Sequence, residues 1–166
     1  MKVLRRLDGV LLVLMTVACA CQPVRDQLTD AERQAISDSV SAGMVSYANA
    51  LTDLDSTRVL THYVAGPACR LVSDGNTSFY VAMQKLIGGL RGTFQSSVVK
   101  WDTVAVTVLG RDAALVYAPF RRTDTDKQGT VARIRGIATW VWVRRDGAWR
   151  MLYGHGDHYP DTSTAR

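Results

Sequence analysis

The chain has 166 residues, 47% of them hydrophobic and 21% charged, a balance that fits one globular domain and excludes a disordered or coiled-coil chain. Its formal charge is +5, of which +2 comes from Lys2, Arg5, Arg6 and Asp8 near the N-terminus. No run of adjacent bases exceeds two residues, as at Arg121-Arg122 and Arg144-Arg145, so a nucleic-acid partner is not expected.

Residues 1–21 open with a basic segment and continue as an apolar run from Val10 to Val17, about half of what a bilayer span requires. That pattern is a signal peptide. Thr16-Val17-Ala18-Cys19 and Ala18-Cys19-Ala20-Cys21 both resemble the bacterial lipobox, in which the cysteine is acylated and becomes the new N-terminus. Cys21 is the first choice and Cys19 the second, which places the mature chain outside the cytoplasm on a lipid anchor in the cell envelope. Residues 22–28 read as a polar tether. The remaining cysteine, Cys69, lies in the apolar run Ala68-Cys69-Arg70-Leu71-Val72 and reads as a small buried hydrophobe.

Thr29-Asp30-Ala31-Glu32 matches a capping box. Ile36, Val40, Met44, Tyr47, Leu51 and Leu54 follow at spacings of three and four, predicting a long first helix. Ser56 to Tyr63 predicts a second, short helix ended by Gly66-Pro67, and Ala68 to Ser73 a first strand closing at Asp74-Gly75. A third helix, capped by Asn76 or Thr77, is expected through Leu90 with Phe79, Met83, Leu86, Ile87 and Leu90 on one stripe. From Gln95 the period changes to two. Strands are predicted at Gln95 to Leu109, Ala113 to Arg122 and Thr130 to Val143, with a loop at Thr123 to Gly129. The last strand returns across Arg145-Asp146-Gly147-Ala148, a strong hairpin turn, and the domain is expected to span 29–158 with a tail at 159–166. Four long antiparallel strands preceded by helices hide a sheet face only by curling round those helices, which gives an α+β cone.

The mature chain resembles the nuclear transport factor 2-like superfamily, nearest its SnoaL-like and ketosteroid-isomerase-like branch. The residues carrying this are Leu54-Asp55-Ser56 through Tyr63, Val72-Ser73-Asp74-Gly75, Val108 through Ala114, and Val143 through Leu152. The last of these also resembles the association domain of calcium/calmodulin-dependent kinase II. The resemblance implies a cystatin-like cone over nearly the whole mature chain. It leaves open isomerases, cyclases, dehydratases, ligand binders and assembly modules. In the isomerase-like enzymes the base is a carboxylate on the strand between the second and third helices, facing a tyrosine on the first. Here residues 68–72 hold no acid, and Asp74 lies just beyond.

Simple alternation along the final strand puts Trp149, Met151, Tyr153, His155 and Asp157 on the inner face, and Arg150, Leu152, Gly154 and Gly156 on the outer. His155 with Asp157 is then the candidate base and orienting carboxylate at a polar mouth. Tyr47, Tyr63, Trp101, Tyr117, Trp140 and Tyr153 are the candidate pocket walls. Three histidines without ligand spacing predict no metal, and no cofactor is expected. The preferred function is binding of a small apolar or amphipathic ligand. The alternatives are an isomerase, cyclase or dehydratase with His155 as base, and a non-catalytic module forming a homodimer through the outer sheet face.

Overall fold

The capping box forms: Glu32 N–H donates to Thr29 Oγ1 at 3.2 Å, and Thr29 N–H donates to Glu32 Oε2 at 2.8 Å. Helix α1 runs from it over Asp30–Thr52 in a computed structural model that describes residues 27–162. The expected signal peptide and the cysteines at 21 and 19 lie outside the described residues. Leu28, expected in the polar tether, is buried. Among the described residues, no helix is long and apolar enough to cross a membrane.

After α1, Asp55 caps α2 (Ser56–Thr61) by accepting from Arg58 N–H at 3.0 Å. Strand β1 is Arg70–Ser73 and is followed by β2, Asn76–Phe79. This corrects the expected helix cap at Asn76 or Thr77. Asp74 and Gly75 both take positive φ, 51° and 79°, so the pair makes a two-residue hairpin and not a strand end. Helix α3 therefore starts only at Tyr80 (Tyr80–Gly88), and a short α4 (Leu90–Thr93) leads into the sheet.

The expected strand from Gln95 to Leu109 is two strands, β3 (Phe94–Trp101) and β4 (Ala105–Gly110). Both pair with the same edge of β5 (Ala113–Asp126), β3 along its second half and β4 along its first. Residues 123–126, expected in a loop, continue β5. Strands β6 (Val131–Arg145) and β7 (Ala148–Pro160) complete the meander, so the last strand runs two residues past the expected domain boundary. Their turn at Asp146-Gly147 again has two positive φ values, 51° and 77°.

The sheet order is β2-β1-β7-β6-β5-β3, with β4 beside β3 on β5. It is mixed, because β1 joins β7 in parallel while the other pairs are antiparallel. The sheet curls without closing and its concave face takes α1, giving the α+β cone. Ala114, Val116, Ala118 and Phe120 of β5 and Ala138, Trp140 and Trp142 of β6 alternate into that face, meeting Val40, Met44 and Tyr47 of α1.

The final strand breaks simple alternation. Trp142 pairs with Met151 and Val141 with Tyr153, leaving Leu152 as an extra, bulged residue. A one-residue insertion flips every later side chain to the other face. Met151 points inward as expected. Beyond the bulge, Gly154 and Gly156 are buried and His158 half-buried, while Tyr153 and His155 are exposed. Gly154 is required by close approach: a Cβ there would lie 2.6 Å from Trp140 Cδ1 and 2.9 Å from Leu71 Cδ1.

Candidate functional site

The concave face encloses a cavity of about 210 Å³. That is below the ~300 Å³ of small drug-sized pockets, so it fits a ligand of one or two rings. Trp101 and Trp140 form much of its wall, meeting edge to face at 5.5 Å. Trp101 is fixed by donating from Nε1 to the Met44 carbonyl at 3.0 Å and stacks on Tyr47 at 6.4 Å. Met83, Ile87 and Leu86 of α3 cover the other side. Leu86 both lines the cavity and is 66% exposed, which marks the mouth.

Two hydroxyls lie in this apolar wall. Tyr47 Oη and Tyr63 Oη are 2.7 Å apart and both side chains are buried. Burial pushes both phenols up, Tyr63 furthest, where the neighbouring Tyr47 adds to the effect. Both are neutral at pH 7. Two hydroxyls joined by one hydrogen bond still hold a second proton, which is left for a ligand acceptor.

The polar end is built from β1, its hairpin turn and β7. His158 lines the cavity beside Phe120, with ring centroids 5.4 Å apart, in the row where Phe120, Gly136 and His158 lie across β5, β6 and β7. Its Nδ1 lies 2.9 Å from Asp74 Oδ2 and its backbone N–H donates to Asp74 Oδ1 at 2.8 Å. Ser73 Oγ donates to the same carboxylate at 3.0 Å. Burial works to raise the Asp74 carboxyl, but the bonds from His158 and Ser73 outweigh it and hold it below the usual carboxylate range. With Nδ1–H turned to an ionised Asp74, Nε2 keeps its lone pair for whatever occupies the cavity.

A charged pair also borders the cavity. Arg122 donates from Nε to Asp124 Oδ1 at 2.8 Å and to Oδ2 at 2.7 Å, and from Nη2 to Oδ2 at 2.5 Å. Asp124 is 4% exposed, so its charge is held by Arg122 in a geometry that a buried carboxylate needs.

Of the residues expected to line the pocket, Tyr47, Tyr63, Trp101 and Trp140 do so. Tyr117 and Tyr153 do not; they stand on the outer face, 45% and 41% exposed. His155 borders the cavity along its strand, but its side chain is 46% exposed and belongs to the outer face with Tyr153 and Asp157. His155 and Asp157 approach to only 4.0 Å there. The bulge at Leu152 is the physical reason for the displacement of Tyr153, His155 and Asp157, whereas Tyr117 stands outside because Val116 and Ala118 on either side of it take the inner face of β5. The sequence does hold a signal for the residue missed: Gly154, Gly156 and His158 alternate, and two glycines at period two in a Trp-rich sheet mark the face where bulky neighbours come close.

No family model matches this sequence, and no curated protein matches it. Solved structures do match in three dimensions. A putative scytalone dehydratase from Novosphingobium aromaticivorans superposes with a TM-score of 0.73 at 12% identity, covering 79% of this chain and 89% of that one. A nuclear transport factor 2-like superfamily protein from Salmonella enterica gives 0.70 at 18% identity, covering 81% and 98%. A hexachlorocyclohexane dehydrochlorinase from Novosphingobium barchaimii gives 0.66 at 12% identity, covering 81% and 95%.

Proposed function

We propose that this chain, whose fold is nuclear transport factor 2-like, holds a small, uncharged, largely aromatic ligand carrying one hydrogen-bond acceptor. The observation behind this is that Arg122, the arginine bordering an aromatic cavity, is already paired with Asp124, and that the Asp74 carboxylate is taken up by hydrogen bonds from His158 and Ser73. A charged ligand entering would lose its hydration without gaining a free counter-charge. A neutral ring with an acceptor meets the Trp101 and Trp140 walls and the spare proton of the tyrosine pair.

The His158 and Asp74 pair favours a second reading, an eliminating enzyme. In it, Nε2 of His158 takes a proton from a ligand carbon, the C–H electron pair becomes a double bond, and the leaving group departs with its own bonding pair. The imidazolium so formed is stabilised by Asp74. Two of the solved structures of this fold carry names of elimination reactions, a dehydratase and a dehydrochlorinase. The base in this reading is His158 and not His155. The N-terminal segment supports attachment outside the cytoplasm through a lipid on Cys21, or Cys19, and the exposed Tyr117 and Tyr153 support pairing through the outer face.

Native mass spectrometry of the chain purified from the membrane fraction reads these together: a retained neutral molecule of ring size, an acyl mass on the N-terminal cysteine, and the subunit count. An empty, unacylated monomer would sink all three. The two histidines separate the sites. His158→Gln should lower any turnover by about 10² or more, as loss of a general base does, and should weaken ligand retention, while His155→Gln leaves both unchanged. The reverse result would return the site to the outer face.

A further inference from the structure

We infer that the outer face of the sheet, away from the cavity, carries a second site, one that takes a phosphate-type oxyanion. Three bases stand side by side across adjacent strands: Lys100 pairs in register with Arg121, and Arg121 with Arg135. Like charges placed directly opposite across strands are unfavourable, so such a row persists at a cost unless something neutralises it. Asp102 offsets one member, lying 3.3 Å from Arg121 Nε, while the Arg121 side chain stays 65% exposed. Arg133, one step along β6 on the same face, adds a fourth base.

The row borders a groove of about 500 Å³ walled by Arg121, Arg135, Pro119, Ile137 and Tyr159 together with the carboxylates Asp102 and Asp161. Tyr159 sits directly opposite Arg135 in the sheet and lines the same groove. Two guanidinium forks on neighbouring strands offer more donors than a two-oxygen carboxylate accepts, and a tetrahedral oxyanion uses both. Pro119 and Ile137 provide an apolar shoulder for the group that carries the anion. This chemistry is shared by a free phosphomonoester and by a phospholipid headgroup.

The test titrates inorganic phosphate into the full-length chain at low ionic strength, following the amide and arginine side-chain resonances, with a parallel flotation assay on phosphatidylserine and phosphatidylcholine vesicles. Saturating shifts confined to Arg121, Arg135 and Tyr159 are expected. Arg121→Gln and Arg135→Gln should each weaken phosphate about tenfold, as loss of a charge-assisted bond does, and Arg144→Gln at the far turn should not. Phosphate binding without flotation assigns the site to free anions. Flotation with phosphatidylserine that the double variant loses assigns it to headgroups. Absence of both, shifts spread evenly over all surface arginines, or unchanged binding in the double variant would overturn the site; thermal melts of each variant show that the fold is kept.

Discussion

Trp142 is the largest fully buried side chain, and its Nε1 has no hydrogen-bond partner among the described residues. A buried donor left alone costs about 1–3 kcal/mol, so this indole contributes packing while giving part of it back. Trp142→Phe should therefore change stability by less than about 1 kcal/mol, because the lost volume is offset by removal of the orphan N–H. Trp142→Ala should cost about 3–5 kcal/mol, as large core truncations do. Urea denaturation of the two variants distinguishes these outcomes; equal losses would show that Nε1 is satisfied in solution. The same residue scale shows what the sequence could reveal. Tyr47, Tyr63, Trp101 and Trp140 were legible as walls because large aromatics have few other places to go in a cone. His158 was not, because its orientation depends on counting residues along β7, and Leu152 adds one to the count.

At the scale of elements, helix starts and tight turns were the most legible features, because their chemistry is local. The box at Thr29 and Glu32 and the turn at Asp146-Gly147 form where expected. The β1–β2 hairpin was missed since Asn76 and Thr77 suit a helix cap as well as a strand, and only pairing with β1 decides. The α1 start also carries a pH signature. The Arg111 side chain, which donates to Glu32 Oε1 at 2.6 Å, holds the Glu32 carboxyl at about 2, helped by the Thr29 backbone and hydroxyl. Above the usual value of 4.5 both folded and unfolded chains are ionised there, so the contribution is complete. As pH falls from that value towards 2 the unfolded chain takes up the proton first, and the contribution is lost. Asp74, also lowered, acts in the same direction. Burial also lowers the His62 imidazole from its usual 6.5, so the unfolded chain takes up that proton first as well. Melting temperature should thus begin to fall below about pH 6.5 and fall further below the carboxylate value of 4.5, and Glu32→Gln should flatten part of the lower fall. An acid limb identical to wild type would show that the Arg111 contact does not persist in solution.

For the whole molecule, the curled sheet was legible from the switch of period near residue 94, but its break into β3 and β4 was not. Both strands alternate, and the interruption at 102–104 is set by where each docks on β5. The outer face that results exposes Tyr117, opposite Thr139, and Tyr153, opposite Val141 two residues further along β6. If two copies pair there, Tyr153→Asp should convert a dimer to a monomer in sedimentation equilibrium while leaving the cavity ligand in place. A dimer that survives this change would place the interface elsewhere.

Helix α1 also sets a direction. Glu32 ties its first turn to Arg111 at the β4–β5 turn, and Arg144 N–H donates to the Asp112 carbonyl, so this turn and the end of β6 gather at the same pole of the cone. Trp142, Met151 and Val40 belong to the core between, whereas Tyr47 reaches the cavity fifteen residues after Glu32, about 22 Å along the helix axis at 1.5 Å per residue. The start of α1 and the cavity are therefore about four turns of helix apart. Should a lipid hold the chain ahead of Thr29, as we propose, that length of helix separates the cavity from the point of attachment.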